Sequence, residues 1–496
     1  KGRRKFFLYL IDLLRGFEFQ SKYDRIFKNS QITGITADSR KVRPGFLFSA
    51  LPGGNLRGLN FIQDALSRGA VAIMAPLTDA PYFLKDRAIS IFYCENIRRE
   101  YSRLVGNFYY PYPQNISAVT GTNGKTSVIE FSRQLLKACD LPSASYGTLG
   151  LISTGPHSDA GLTTPDPSDL YSKLSGLERN NVNHVAIEAS SHGLDQYRLD
   201  GLNIKVAAFT NFSQDHLDYH QTMERYFAAK LRLFNEILGL NGIAVINADD
   251  KMTHMILDIL TKRNITFLTY GKKATDIILR GKVGSKKGQI ISINVVGEDY
   301  ELEVPFIADF QIYNALCALG IVIANGVSPK IATRALEKLE GVIGRLQLVS
   351  ELDNGARIYV DYAHTPDAIA NVLLALRKCT AKKLNIVFGC GGNRDRDKRA
   401  QMGKIASNLA DEVVVTDDNP RDENASDIRS QIIKACPGAI EIGDRRKAIK
   451  IAIGKLSDDD LLVITGKGHE QNQIVKDQVF KFDDIEEIKQ IVGYSM

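Results

Sequence analysis

Ile116-Ser117-Ala118-Val119-Thr120-Gly121-Thr122-Asn123-Gly124-Lys125-Thr126 is the stretch that decides the fold. A short β-branched run ends at a glycine, and three residues later Gly-Lys-Thr opens a helical pattern from Ser127 to Cys139. A strand, a glycine-bearing loop and a helix in that order form a unit that cradles phosphate. The glycines let backbone N–H groups turn inward, and the helix N-terminus adds its partial positive charge. Lys125 is expected to reach the β- and γ-phosphates of ATP, and the Thr126 hydroxyl to ligate Mg²⁺. Gly121, Thr122, Asn123 and Gly124 supply the backbone of the cradle. Val119 stands where the full G-x-x-x-x-G-K-T pattern has its first glycine, so an ordinary glycine turn is the alternative. The loop by itself specifies nucleotide binding and no particular reaction.

Outward from the loop, short apolar runs alternate with helical patterns. Val185–Glu188, Ala207–Asn211 and Ile243–Asn247 read as further strands of a parallel sheet, and Ile358–Asp361, Leu384–Phe388, Glu412–Thr416 and Leu461–Thr465 as a second set. The predicted fold class is α/β in three domains: 1–95, with short mixed elements; 96–342, around the phosphate loop; and 343–496. Turn signals at Arg43-Pro44-Gly45 and Pro52-Gly53-Gly54 punctuate the first section, and Tyr109-Tyr110-Pro111-Tyr112-Pro113 leads into the second. Ligands in open α/β sheets bind outside the carboxyl ends of the strands, so the segments after these strands are the candidate sites.

Two such segments carry carboxylates and imidazoles. Glu188 ends one strand ahead of Ala189-Ser190-Ser191-His192-Gly193, and His216 lies in Asn211-Phe212-Ser213-Gln214-Asp215-His216-Leu217-Asp218. Glu188 with His216 would hold a divalent cation beside the γ-phosphate. Mg²⁺ prefers oxygen and keeps its waters, so few protein ligands suffice. A lone histidine is more often structural, and only its pairing with a phosphate loop favours the metal. Tyr226-Phe227-Ala228-Ala229-Lys230 opens a helix on which Lys230 reads as a solvated lysine. In the third section four charged loops each follow an apolar strand: Asp361–Asp367, Gly389–Asp395, Asp417–Arg421 and Gly466–Glu470. Any one of them alone would be a turn. Together they describe a pocket for a small, doubly charged molecule, with Arg394 and Arg421 clamping a carboxylate and Glu470 and Asp418 holding an ammonium.

In their order these motifs resemble the Mur ligases of peptidoglycan synthesis, over nearly the whole chain. GTNGKT at 121–126 is that family's form of the phosphate loop, which accounts for Val119. EASSHGLDQYRL (188–199), TNFSQDHLDYH (210–220), AAK (228–230), DYAHTPD (361–367), GCGGNRDRDKR (389–399) and GKGHE (466–470) follow in sequence. The resemblance implies a UDP-binding domain, a central P-loop ATPase-like parallel-sheet domain for ATP, and a C-terminal Rossmann-like domain for an amino acid. It implies ATP-dependent addition of meso-2,6-diaminopimelate to UDP-N-acetylmuramoyl-L-alanyl-D-glutamate through an acyl phosphate. Residue by residue it implies a uridine contact at Ser39, within Asp38-Ser39-Arg40. Muramoyl-dipeptide contacts fall at Thr163, Thr164, Ser190, Gln196 and Arg198. Lys230 becomes a carbamylated lysine, a carboxylate in place of an ammonium, that joins Glu188 and His216 at the metal. Asn314, Arg345 and Asp361 fall at the ATP base and ribose. Asp418-Asn419-Pro420-Arg421 is the form associated with diaminopimelate rather than lysine, and Arg394, Gly466 and Glu470 complete its pocket. Lys125, Lys230 and His216 are the implied catalytic residues. Arg57-Gly58 departs from the family, which usually has an acidic residue before that glycine.

Composition agrees with a soluble enzyme. The 496 residues are 44% hydrophobic and 24% charged, and no apolar run reaches the ~18 residues of a membrane span. The basic, then apolar, opening from Lys1 to Gln20 reads as an amphipathic helix rather than a targeting signal, because Asp12 interrupts it. Six cysteines without a CxxC pair read as reduced thiols of a cytoplasmic protein. A net charge of +6 suits polyanionic small substrates and is too evenly spread to argue for nucleic acid. No membrane partner and a monomer are expected. A folylpolyglutamate synthase shares the central domain but lacks the DNPR and GKGHE pair. A P-loop ATPase switch would turn over ATP without an amino acid, and intact Lys125, Glu188, Lys230 and His216 argue against an inactive scaffold.

Overall fold

The computed structural model describes residues 8–15, 17, 30–53, 58–77, 89–153, 162–285, 288–380 and 382–493. Arg57 and most of the expected first helix lie outside these residues. The part of that helix that is described is a strand, Leu8–Tyr9, antiparallel to Gln31–Ile32, followed by one helical turn, Leu10–Leu13. The chain divides into two compact units and passes between them inside the strands Asn115–Thr120, Ile204–Phe209 and Leu238–Asn247.

The first unit contains residues 1–118, 142–206 and 229–242. Its amino-terminal part is a parallel sheet in chain order, Gly34–Thr36, Phe46–Ser49, Ala70–Pro76 and Ser90–Cys94. Apolar side chains such as Phe48, Ile73 and Ile91 form its core with Ile62 and Ala65 of the helix Ile62–Ser67. Asn96 then caps the helix Ile97–Tyr109, accepting from the Arg99 N–H, which fixes where that helix begins. This helix packs on Pro167–Arg179, whose own cap is Asp166 with proline in the first turn. Ser143–Gly147 and His184–Glu188 run parallel, so Glu188 ends a buried strand.

The second unit contains residues 119–141, 207–228 and 243–496. The phosphate-loop helix runs from Lys125 to Ala138, starting two residues and ending one residue earlier than the sequence pattern suggests. Gly124 takes the left-handed conformation at φ +87°, which lets the chain turn directly into the helix; a Cβ there would also meet Asn314 Oδ1 at 2.3 Å. The buried helix Asp309–Ala324 lies against this helix. Ile243–Asn247 pairs in parallel with Thr266–Gly271, which pairs in parallel with Ile277–Gly284; Gln289–Val295 and Glu298–Val304 then continue the sheet as antiparallel strands.

The carboxyl-terminal sheet has the order Gln347–Glu351, Arg357–Asp361, Leu461–Thr465, Leu384–Phe388, Glu412–Val415, Ile440–Glu441, parallel except for its first strand. Alternation along the strands divides its core. Tyr359, Ile386, Phe388, Val413, Val415, Leu461 and Val463 face one layer, which includes Ile369 and Met402. Ile358, Val360, Val387, Val414, Leu462 and Ile464 face the other, which includes Ile449 and Ile488. With both faces covered, only the strand ends are left for polar chemistry. Because the inner strands are parallel, the loops after Asp361, Phe388, Val415 and Thr465 leave from one edge.

Candidate functional site

In the first unit the residues expected to meet the muramoyl-dipeptide form one hydrogen-bonded group with Glu188. The Glu188 carboxylate is buried, with Oε1 accepting from the Thr148 N–H at 2.8 Å and Oε2 from the Thr148 hydroxyl at 3.1 Å. Thr148 also donates to Thr163 Oγ1 at 3.2 Å. Thr164 donates to the Glu188 carbonyl at 2.7 Å and lies 2.9 Å from the Ser190 hydroxyl, which caps the next helix through the Gly193 N–H. Arg198 donates to the Thr164 carbonyl and to Gln196 Oε1. Gln196 and Arg198 line a small cleft with Arg98, Tyr101 and Asp166. Thr163, Thr164, Ser190, Gln196 and Arg198 are therefore brought together, by contacts that also fix Glu188. Thr148, which orients both oxygens of Glu188, carries no motif of its own and was not anticipated. Ser39 is buried in a short 3₁₀ turn whose cap, Asp38, is also paired with Arg40. Lys230 is 1% exposed, so it is not the solvated lysine that local sequence suggests, and its helix begins at Met223 rather than Tyr226.

In the second unit the phosphate loop is braced from the neighbouring strand end. Thr122 N–H donates to the Asn211 carbonyl, Asn123 N–H to Asn211 Oδ1, and Thr210 N–H to the Thr120 carbonyl. Asn211 thus belongs to the loop after Phe209, not to the strand. Lys125 Nζ donates to the carbonyls of Gly121 (3.0 Å) and Thr122 (2.8 Å), folding over its own loop. The Thr126 hydroxyl accepts from Arg345 Nη2 at 2.9 Å, so it is engaged by a guanidinium in addition to any role toward Mg²⁺. Arg345, which also stacks over Tyr362, and Asn314 both sit against the phosphate loop. Asp361 accepts from the backbone N–H groups of Leu346 and Ala363, both at 2.6 Å, and burial raises its pKa; it holds the strand end together. His216 adopts φ +53°, an unusual conformation for a side-chain-bearing residue. Its Nε2 lies 3.4 Å from Asp215, whose buried carboxylate also faces His364 at 4.0 Å. Burial opposes ionisation of Asp215, but the nearby His216, His364 and Lys398 outweigh it and hold its pKa down. Asp367 accepts from Asn123 Nδ2 and the Ser213 hydroxyl. It was not singled out, although it closes the DYAHTPD motif.

The amino-acid loops converge as their shared edge requires. Arg421 also has positive φ, +50°, and its backbone is pinned by Ile474 and Lys476. Its Nη1 donates to the carbonyls of Gly392 and Asn419. Burial and then the charge of Arg394 lower its pKa. A Cβ on Gly391 would lie 2.8 Å from Arg421 Nη1 and 3.8 Å from Arg394 Cγ, so this glycine separates the two arginines. Asn419 Nδ2 donates to Glu470 Oε2 at 2.9 Å. Asp418 is buried against Gly466, whose φ of +109° and lack of Cβ allow Oδ2 to come close. Burial alone would raise the Asp418 pKa, but Lys467 and Arg445 outweigh it and lower it. Two like charges beside an oriented carboxylate suit a ligand end that carries both a carboxylate and an ammonium.

Among the described residues no three His, Cys, Asp or Glu side chains cluster to hold a metal ion. The donor set still fits Mg²⁺, because Glu188 supplies oriented hard oxygens and the ion takes the rest of its shell from water and phosphate.

Comparison with known proteins agrees with this geometry. Residues 31–93 match the Mur ligase family catalytic domain, 119–322 the Mur ligase middle domain, and 344–468 the Mur ligase glutamate ligase domain. The UDP-N-acetylmuramoyl-L-alanyl-D-glutamate--2,6-diaminopimelate ligase of Zymomonas mobilis is 46% identical over 94% of this chain and 96% of its own length. The chain belongs to the Mur ligase family. The same-named protein of Rhizobium meliloti is 45% identical, over 93% of this chain and 94% of its own. A solved structure of a ligase of that name superposes on this Mur ligase with a TM-score of 0.70 at 30% identity, covering 99% of both chains. Among the described residues no helix of this Mur ligase is long and apolar enough to cross a membrane.

Proposed function

We propose that this Mur ligase joins meso-2,6-diaminopimelate to UDP-N-acetylmuramoyl-L-alanyl-D-glutamate at the expense of ATP. The observation that carries the reading is the Arg394–Arg421 pair beside Asn419 and Glu470, on a chain that also holds a phosphate loop. The relatives named above support it. The dipeptide's terminal carboxylate attacks the γ-phosphorus, giving an acyl phosphate and ADP. The amine of diaminopimelate then attacks the acyl carbon, and phosphate leaves. Lys125 meets the charge growing on the phosphoryl oxygens. Thr163, Thr164, Ser190, Gln196 and Arg198 orient the dipeptide, and Ser39 meets its uridine. Arg421 and Arg394 take the distal carboxylate of diaminopimelate, and Glu470 its ammonium. Glu188, His216 and a carbamylated Lys230 would hold Mg²⁺, which neutralises phosphate charge when bound. Burial of Lys230 supports carbamylation, since a buried ammonium repels a cation and a carbamate attracts it. Asn314 and Arg345 lie on the nucleotide, with Asp361 bracing the strand end beside it.

We further propose domains 1–95, 96–342 and 343–496, a division supported by three separate family matches, and we place a monomeric enzyme in the cytoplasm, where ATP is made. Mass spectrometry of a reaction with the UDP-dipeptide, ATP, Mg²⁺ and diaminopimelate tests the proposal. The expected product is the dipeptide nucleotide plus one diaminopimelate less one water. ADP formation without that product would refute it.

A further inference from the structure

Lys467 follows the strand Leu461–Thr465 and is wholly buried. Its Nζ lies 3.2 Å from Asn419 Oδ1, 3.3 Å from Glu470 Oε2 and 2.5 Å from the Asn472 carbonyl. Three donors meet three acceptors, which is how an ammonium without water is retained. Asn419 Oδ1 accepts a second bond, from the Ile474 N–H at 3.0 Å. Flipping the amide would turn its NH₂ toward an ammonium and an N–H, so the oxygen is locked inward. The amide nitrogen must then face Glu470, as observed at 2.9 Å. Glu470 Oε2 accepts from both Asn419 and Lys467, which leaves Oε1 to meet a ligand ammonium.

We infer that Lys467 is a positioning residue of the amino-acid pocket, setting through Asn419 and Glu470 which polar atoms meet the incoming amino acid. The inference rests on the ligase reading above and adds a residue that touches no substrate. Its effect falls on one substrate of three. Lys467 supplies a bond that orients the ammonium-binding carboxylate, while the Arg421 side chain keeps its own acceptor in the Gly392 carbonyl and Arg394 its own in the Asn393 carbonyl. A merely structural lysine, holding the Gly466–Asn472 loop through the Asn472 carbonyl, would instead disturb all substrates and the melting temperature together.

Steady-state phosphate release separates these roles. Wild type, Lys467→Met, Asn419→Ala and the double variant are compared with each substrate varied in turn. Lys467→Met is expected to raise the diaminopimelate KM by about tenfold or more, the effect of leaving a polar group unpaired, with the KM for ATP and for the UDP-dipeptide unchanged. Adding Lys467→Met to Asn419→Ala should then cost little more. An unchanged diaminopimelate KM, a parallel rise for all three substrates, or fully multiplicative effects in the double variant would overturn the inference. Lys467→Arg tests it should Lys467→Met not fold. It keeps the charge but not the three-way bonding of the ammonium, so the diaminopimelate KM should rise with the KM for ATP and for the UDP-dipeptide unchanged. An unchanged diaminopimelate KM counts against the inference. Wild type without diaminopimelate-dependent phosphate release would overturn the ligase reading and this inference together.

Discussion

In the phosphate loop Lys125 is folded onto the carbonyls of Gly121 and Thr122, whereas in the amino-acid pocket the side chains of two arginines, Arg394 and Arg421, both approach Gly391. The first region accommodates its positive charge with its own backbone. The second holds like charges together, and burial with this repulsion lowers the Arg421 pKa. The loop is thus complete without its ligand, and the pocket is completed by an anion. The same contrast separates what each region does: one loop serves any nucleotide-dependent reaction, and the other selects the amino acid.

Removing Lys125 should have the largest effect. Lys125→Ala is expected to lower turnover by about a thousandfold or more in a phosphate-release assay, since the amine acts on charge that develops in the transition state. Its melting temperature should stay close to wild type, because the lost bonds are two part-buried contacts within one loop and lie outside the apolar core; a collapse of the fold would break the contrast. Arg421→Ala comes next. It should raise the KM for diaminopimelate by about thirtyfold, equivalent to ~2 kcal/mol for a charge-assisted bidentate contact, with little change in the KM for ATP. Equal diaminopimelate kinetics would remove the basis for selectivity. Arg394→Ala sharpens the comparison further. It should weaken diaminopimelate binding yet leave the ligand-free protein as stable or slightly more so, by up to ~0.5 kcal/mol in thermal unfolding, because a repulsion is relieved. A clear loss of stability would mean that the pair is held by contacts other than those seen.

The smallest effect concerns thiols. Burial pushes Cys317 and Cys390 up to about 12, so both stay protonated through pH 9 and react as thiols only when the fold opens. Native alkylation at pH 8.5 should label the partly exposed Cys139 and Cys379 first and spare Cys317 and Cys390. Raising the pH toward 9 should not expose them, because a raised pKa keeps the neutral form. Rapid labelling of Cys390 would show that the sheet edge carrying the amino-acid pocket opens readily.

Much of this architecture was legible because its signals are contiguous. Leu384–Phe388 and Leu461–Thr465 have the predicted bounds, since largely apolar, fully buried runs ending at glycine leave little choice of register. The phosphate loop was legible for the same reason. What sequence did not reveal depends on contacts between distant segments. Nothing local marks Thr148 as the partner of both Glu188 oxygens, or Lys230 as buried. The positive φ of His216 and Arg421 is imposed by surroundings, since neither residue favours it. Nor does anything local mark Arg345 as packed over Tyr362 and bonded to Thr126. Lys467 lay inside a quoted motif, yet its function depends on Asn419, 48 residues away. At the amino end, expected as one helix, the described residues form a strand that pairs with Gln31–Ile32, a partner that helical periodicity cannot reveal.

The most direct test of the central claim is phosphate release with ATP and the UDP-dipeptide, comparing meso-diaminopimelate with L-lysine. The account predicts release with diaminopimelate and little with lysine, which lacks the distal carboxylate that Arg394 and Arg421 are arranged to meet. Equal release with lysine would contradict it.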